Sequence, residues 1–441
     1  MREMKNSGVE WIGEIPEDWM TGKTIYALQM PITDGPHETP ELYDEGVPFV
    51  SAEAVSCGNG HIDFDHIRGY ISREFYKECC KKYIPREKDI YMIKSGATTG
   101  KVALVEENRL FTIWSPLAVF RCKEEKCYYK YLFYFLQSDA YQKQIENKWT
   151  YGTQQNIGMR MLEKLLICFP PIKEQARIAK YLDEKCTRID VAIEKQQSII
   201  EKLKEYKLSL ITESVTRGLN YECQMKDSGI DCIGLIPAHW HQCRLRNIGG
   251  AQNGISKGAE YFGEGFPFVS YGDVYRNYSL PYEVQGCVRT TAEEQEHYSV
   301  EAGDIFFTRT SETIDEVGFS CVCEKTIPRA TYAGFVIRVR PYSNVLYTGY
   351  AKYYFRSSHH RSYLAKEMNL VTRASLGQDL LKSMPVLVPP KEEQKVIASF
   401  LDEKCDEIDH IISQKESLIN KLIDYKKSMV YEAVTGKREV L

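Results

Sequence analysis

Two stretches of this chain have neither proline nor glycine. Residues 172–217 and 391–435 lack both, although the protein holds 17 prolines and 29 glycines. Nothing in either stretch forces a break, so each can run as one long helix. No run of about eighteen apolar residues occurs, which excludes an apolar membrane-spanning helix. The opening MREMKNSGVEW has no apolar core of a secretory signal, so a cytoplasmic protein is expected. No Cys-x-x-Cys pair occurs among the 14 cysteines, and reduced, mostly buried thiols are expected. Neither sign of charge dominates, with 57 basic against 61 acidic side chains. That argues against a generic polyanion coat but leaves room for a local basic face.

Catalytic signatures are also missing. Gly96 to Lys101 is the nearest approach to a phosphate loop. It has three residues between its glycines, where four are required, and Val102 follows the lysine where Ser or Thr should hold magnesium. No dinucleotide fingerprint, zinc-binding His/Cys spacing or nucleophile elbow is present. His359-His360 is an adjacent pair that cannot chelate from one helix face, and a solvated surface is expected for it. Asp183, Glu184, Asp402 and Glu403 recur at matching places near the two helix starts, where acids suit the helix dipole better than a nuclease role. No catalytic residue and no metal ligand is therefore assigned.

What is present is periodicity. Each stretch follows a Pro-Pro pair, at 170–171 and 389–390, and ends at Gly218 or Gly436, where helix stop signals belong. Leu182, Ile189, Gln196, Leu203 and Leu210 keep a beat of seven, and so do Leu401, Ile408, Lys415, Leu422 and Met429. That is a coiled-coil seam, broken once per copy by Gln196 and Lys415, residues of the kind that fix register. Cys186 and Cys405 share one repeat position and read as packing residues. The alternative is that each helix packs alone on a globular domain. If the two run antiparallel as a pair, their middle layers face each other and the centre is a rod.

The whole chain is one module stated twice. SGVEWIGEIPEDW at 7–19 returns as SGIDCIGLIPAHW at 228–240, GVPFV at 46–50 as GFPFV at 265–269, and YLFYFLQS at 131–138 as YAKYYFRS at 350–357. Most offsets are 219 residues; the lead-in is displaced by 221. The expected divisions are a lead-in at 1–19, a globular domain at 20–169, a helical spacer at 170–218, a second lead-in at 219–240, a second globular domain at 241–388 and a second helix at 389–441. Strand-like runs at 90–93, 102–105, 117–120, 304–307 and 335–339 predict mixed α/β domains with short sheets. Residues 52–120 and 271–335 share little beyond Asp-Ile at Asp89 and Asp304. A common frame with divergent loops suits loops that carry specificity; neutral drift after duplication is the alternative.

The polar loops suit DNA. Lys94, Ser95, Thr98, Thr99 and Lys101 surround two glycines, and Gln154, Gln155 and Asn156 place three amides together. Their counterparts are Arg309, Thr310 and Ser311, and Arg373 with Ser375. Amides can read adenine, arginine can read guanine, and lysine and hydroxyls can hold phosphates. An ordinary surface loop can have the same composition.

Taken together, the chain closely resembles the specificity subunit of type I restriction–modification enzymes. The marks are WIGEIP at 11–16 with Trp19, GTQQNI at 152–157, and the two Pro-Pro…Glu-Gln…Ile-Ala…Leu-Asp-Glu-Lys…Ile-Asp segments that open the helices. The second copy departs from them, with Cys232 in place of Trp11 and Thr372 to Leu376 in place of Thr153 to Ile157. The resemblance implies an α+β fold: two mixed α/β target recognition domains separated by a two-helix antiparallel coiled coil, in a pseudo-twofold tandem duplication. It implies that each domain reads half of a bipartite double-stranded DNA site while the coil sets the spacer. It also implies no cofactor and no catalysis in this chain. Two methyltransferase subunits would bring S-adenosylmethionine, and restriction motor subunits would use ATP and magnesium.

Overall fold

The computed structural model describes residues 2–151, 155–311, 317–367 and 374–440. It divides into two compact units, Met1–Gln196 with Ser417–Leu441, and Gln197–Glu416. Each unit thus takes part of both long helices. Among the described residues no helix is long and apolar enough to cross a membrane.

In the first unit a four-stranded antiparallel sheet runs in the order Thr33–Asp34, Leu117–Phe120, Ile90–Ile93, Val102–Leu104. The last three strands are buried along their whole length, which is why their sequences are apolar without alternation. A three-stranded sheet, Tyr70–Ile71, Val47–Val50 and Thr112–Ile113, pairs Phe49 with Thr112 in parallel. The second unit repeats both sheets. Its four strands are Gly249–Asn253, Val336–Pro341, Ile305–Thr308 and Ser320–Val322, and its three are Cys287–Val288, Phe262–Val269 and Thr331–Tyr332. Again one pair is parallel, Phe268 with Thr331. The divergent regions therefore share a frame that their side chains conceal.

The two Asp-Ile dipeptides mark that frame. Asp89 is buried before the strand Ile90–Ile93 and accepts from Arg121 Nε and Nη2, both at 2.7 Å. Asp304 is buried before Ile305–Thr308 and accepts from Arg340 Nε at 2.7 Å and Nη2 at 2.6 Å. Each forked pair ties a central strand to its neighbour, and satisfying the buried carboxylate demands that geometry. The paired carboxylate, through hydrogen bonding first, raises the pKa of both arginines above the usual guanidinium value.

The long helices are Ile172–Arg217, 46 residues, and Lys391–Val434, 44 residues. At 1.5 Å per residue each is about 65–70 Å long. Both end on a left-handed glycine, Gly218 at φ 72° and Gly436 at φ 74°. Within the first unit Leu182, Cys186 and Ile189 share a core with Met429, Val430 and Ala433. Lys426 Nζ meets Asp190 at 2.6 Å, and Arg438 Nη1 donates to Tyr181 Oη at 3.1 Å. Rising numbers on one segment meet falling numbers on the other, so the segments run antiparallel. Within the second unit Lys207 pairs with Asp409 at 2.5 Å, and Gly218 lies against Glu393, again antiparallel. Ile211 and Val215 are buried there with Leu401 and Cys405, whereas Leu203 and Leu210 are only half-buried. The globular domain also covers this end of the helix, so the buried arc is wider than a strict seam. Gln196 and Lys415 are half-buried, in the first and second unit respectively.

The Glu-Gln of each helix opening locks it to its domain. Gln175 accepts from Tyr128 N at 2.8 Å and donates to Lys126 O at 3.1 Å and Pro170 O at 2.9 Å. Gln394 accepts from Tyr347 N at 2.6 Å and donates to Val345 O at 3.0 Å and Pro389 O at 2.8 Å. Replacing Gln394 by alanine strands three backbone groups, the carbonyl of Pro389 buried and the Tyr347 N–H and Val345 carbonyl partly so. A loss of about 1–3 kcal/mol is expected from urea unfolding of the second unit, and an unchanged midpoint would refute this role.

Two expectations are corrected. Asp183 and Asp402 lie some three turns into their helices, beyond the reach of the helix dipole. They repeat because each grips an aromatic helix: Asp183 takes Lys130 at 2.5 Å and Tyr134 Oη at 2.8 Å, and Asp402 takes Lys352 at 2.6 Å and Tyr353 Oη at 2.7 Å. The second correction concerns His359 and His360, which are buried rather than solvated. They occupy the repeat positions of Ala140 and Tyr141, which are buried in the first unit. The His360 ring stacks on Phe355 with centroids 5.1 Å apart, and Tyr354 meets it edge-on at 4.5 Å.

Candidate nucleic-acid interface

In the first unit the strand Ile90–Ile93 runs into a turn that two glycines permit, Gly96 at φ 106° and Gly100 at φ 93°. Thr99 closes it, its Oγ1 donating to Gly96 O at 2.8 Å, and Gly100 N returns to Ile93 O at 2.8 Å. Against this turn lies Gln155–Asn156, itself paired with Thr150–Tyr151. Ile157 N donates to Lys94 O at 2.9 Å, Gly96 N donates to Gln155 O at 3.0 Å, and Ser95 bridges Asn156. Two segments some sixty residues apart in sequence thus form a single polar edge.

The second unit builds the same edge. Thr310 pairs with Ser375 and Ser311 with Ala374, and Leu376 N donates to Arg309 O at 2.7 Å. Lys94 corresponds to Arg309, Asn156 to Ser375 and Ile157 to Leu376. The neighbouring turn matches too: Lys94 N donates to Pro116 O at 2.7 Å, and Arg309 N to Phe335 O at 2.9 Å. Gln154 and Arg373 lie outside the described residues, as do Thr153, Glu312 and Thr372.

The candidate side chains differ in availability. Asn156 and Lys101 are exposed, and Thr98, Thr99, Gln155, Arg309 and Thr310 are half-buried. Lys101 Nζ donates to Ser56 O at 3.3 Å. Lys94 is turned inward, its Nζ 3.4 Å from the buried Asp34 carboxylate, which His37 Nε2 also approaches at 3.1 Å and Lys82 contacts. Burial acts to raise the Asp34 pKa, but Lys82, Lys94 and His37 outweigh it and hold the carboxyl below its usual range. Lys94 therefore organises the edge from behind, while Asn156 and Lys101 reach solvent.

Sequence reading missed Asp34-Gly35 and Asn253-Gly254, although they recur at the common offset of 219 residues. A side chain at Gly35 would lie 1.9 Å from Ile113 O, and one at Gly254 would lie 2.3 Å from Ala333 O. Both loops hug the turn beside the edge and only glycine fits. Asn253 Oδ1 accepts from Gln378 Nε2 at 3.0 Å, which brings a further amide to this face. Phe335, 64% exposed, takes the place of Pro116. Among the described residues no His, Cys, Asp and Glu group could hold a metal. The edge offers hydroxyls, amides and cations on backbone that is itself hydrogen-bonded, a surface equipped to bond base edges and phosphates.

Comparison with known proteins identifies the family of the chain. The family model described as the type I restriction modification DNA specificity domain matches twice, over residues 36–209 and 237–421. The chain is 22% identical to the type I restriction enzyme StySPI specificity subunit of Salmonella potsdam, over 96% of this chain and 90% of that protein. It is 28% identical to the putative type I restriction enzyme MjaX specificity subunit of Methanocaldococcus jannaschii, over 97% and 96%. A solved structure concerned with complex assembly and conformational transition of the type I R-M system matches with a TM-score of 0.71 at 16% identity, covering 96% of this chain and 99% of that one. With two such domains on a duplicated frame, the chain belongs to the specificity subunits of type I restriction–modification systems.

Proposed function

We propose that each unit reads one half of a bipartite double-stranded DNA target through its polar edge, and that the paired long helices set the length of the unread spacer. The observation that carries this reading is the recurrence of one hydrogen-bonded edge in both units with different side chains: Ser95 and Asn156 in one, Thr310 and Ser375 in the other. A shared backbone with exchanged side chains is how two half-sites of different sequence are read on one frame. In this reading the chain is not an enzyme. Two methyltransferase subunits carry S-adenosylmethionine, restriction motor subunits use ATP and magnesium, and the assembly works in the cytoplasm. Support for docked partners comes from apolar side chains left exposed on the long helices: Val191, Leu418 and Tyr425 in the first unit, and Ile199, Tyr206 and Ile411 in the second.

Genome-wide mapping of methylated bases, in cells carrying this chain with its methyltransferase, tests the reading. Exchanging residues 20–169 for those of another family member should change one half-site and leave the other intact. Replacing Thr310 and Ser375 by alanine should relax the other half-site, by about 0.5–1.5 kcal/mol of discrimination per lost hydroxyl hydrogen bond. Changes spread over both half-sites would refute the division of labour.

A further inference from the structure

The two units differ sharply where Trp11 of one corresponds to Cys232 of the other. In the first unit Trp11 is half-buried, and Lys143 Nζ lies 5.8 Å from its ring centroid. Lys143 belongs to the helix Asp139–Glu146, whose counterpart in the second unit is Ser358–Glu367. There the indole is missing, and a recess of about 920 Å³ opens beside Cys232. Cys232, Cys243, Pro385 and the Tyr363 ring give it an apolar wall, and Arg244, Arg246 and Lys366 give it three cations. The corresponding first-unit residues are Lys23, Ile25 and Asn147, so two of the three cations are peculiar to the second unit. Asp231 is the one acid among the lining residues, 3.1 Å from Lys366 Nζ.

We propose that this recess binds an aromatic side chain flanked by a carboxylate, presented by a partner protein chain. The partner supplies in trans the ring that Trp11 supplies within the first unit, and its carboxylate meets Arg244 and Arg246. A DNA phosphate fits less well, because it would leave the apolar wall of Cys232, Cys243, Pro385 and the Tyr363 ring uncovered. The inference rests on the reading of this chain as a subunit of an assembly. It makes the second unit's docking unlike the first's, on a frame that otherwise repeats.

The test uses the full chain purified with its methyltransferase subunit. Cys232→Trp places against the apolar wall of the recess the residue the first unit already accommodates, and Arg246→Glu reverses one of its cations. Both variants should release the methyltransferase subunit about tenfold more readily on dilution, read by mass photometry, with thermal unfolding close to that of the unaltered chain. N-acetyl-L-tryptophan, an indole with a carboxylate, should bind the unaltered chain alone in calorimetry and fail to bind Cys232→Trp. Sodium phosphate at the same concentration should not compete with it. Unchanged subunit retention in a folded Cys232→Trp assembly, or equal occupancy by phosphate, would overturn the proposal. Base mapping with the same assemblies separates the two readings. If the unaltered assembly methylates no defined sequence, the functional reading falls; if it does and Cys232→Trp changes nothing, only the recess does.

Discussion

Removing one heptad from each long helix, residues 197–203 and 413–419, should shorten the DNA spacer by about three base pairs and leave both half-sites unchanged. Seven residues at 1.5 Å take about 10 Å from a helix, and base pairs stack about 3.4 Å apart. The cuts are in register with the ion pairs Asp190–Lys426 and Lys207–Asp409, so the apolar positions beyond them keep their phase. Both cuts also fall away from the residues that anchor each helix to its domain, Gln175 and Leu182 in one case, Gln394 and Leu401 in the other. A cut of five residues would instead turn the seam by more than a third of a revolution and should destabilise the protein. Methylated-base mapping reads the spacer directly. An unchanged spacer after the heptad cut would sink the idea that helix length sets it.

The long helices were legible because helix formation and periodicity are local properties. Their Pro-Pro starts, glycine stops and beat of seven all lie on one stretch of chain. The polar edge was legible only in parts. Lys94 to Lys101 and Gln155-Asn156 stood out by composition, but their pairing across some sixty residues is a tertiary fact that no local pattern encodes. The shared sheets of the two units were hidden for a related reason. Strands buried on both faces, such as Ile90–Ile93 and Ile305–Thr308, need only apolar bulk, so the duplicated frame survives with almost no identity. Asp89 and Asp304 were conspicuous, but their forked arginines sit more than thirty residues away. Asp183 and Asp402 were misread for the opposite reason: a nearby helix start offered a local explanation for a long-range contact.

Acid should weaken the second unit more steeply than the first, and His359 and His360 should be the cause. Both are buried, and among the described residues neither nitrogen of the His360 ring has a hydrogen-bond partner. His359 Nδ1 makes a hydrogen bond with Ser357 Oγ at 2.9 Å. Burial pushes the His359 imidazole down to about 3. Burial, and then the charges of His359 and Arg361, hold His360 well below the usual histidine value. The folded state therefore keeps both rings neutral at pH values where the unfolded chain takes up protons. Their stabilising effect is complete above pH ~6.5 and declines as pH falls below it, by about 1.4 kcal/mol per pH unit for each ring until the folded protein itself protonates. Between pH 6.5 and 4.5 that amounts to about 2–3 kcal/mol for His359 alone, a large fraction of a domain's stability, and His360 acts in the same direction. Carboxylates also titrate near the lower limit, so the comparison that isolates the rings is His359→Ala with His360→Tyr, the residues that the first unit carries at the same positions. Chemical unfolding across this range should show a slope against pH that is shallower in the double variant by up to two protons. Equal slopes would mean that these rings stay uncharged in the unfolded chain as well, or are solvated in the folded one, and either result would defeat the prediction.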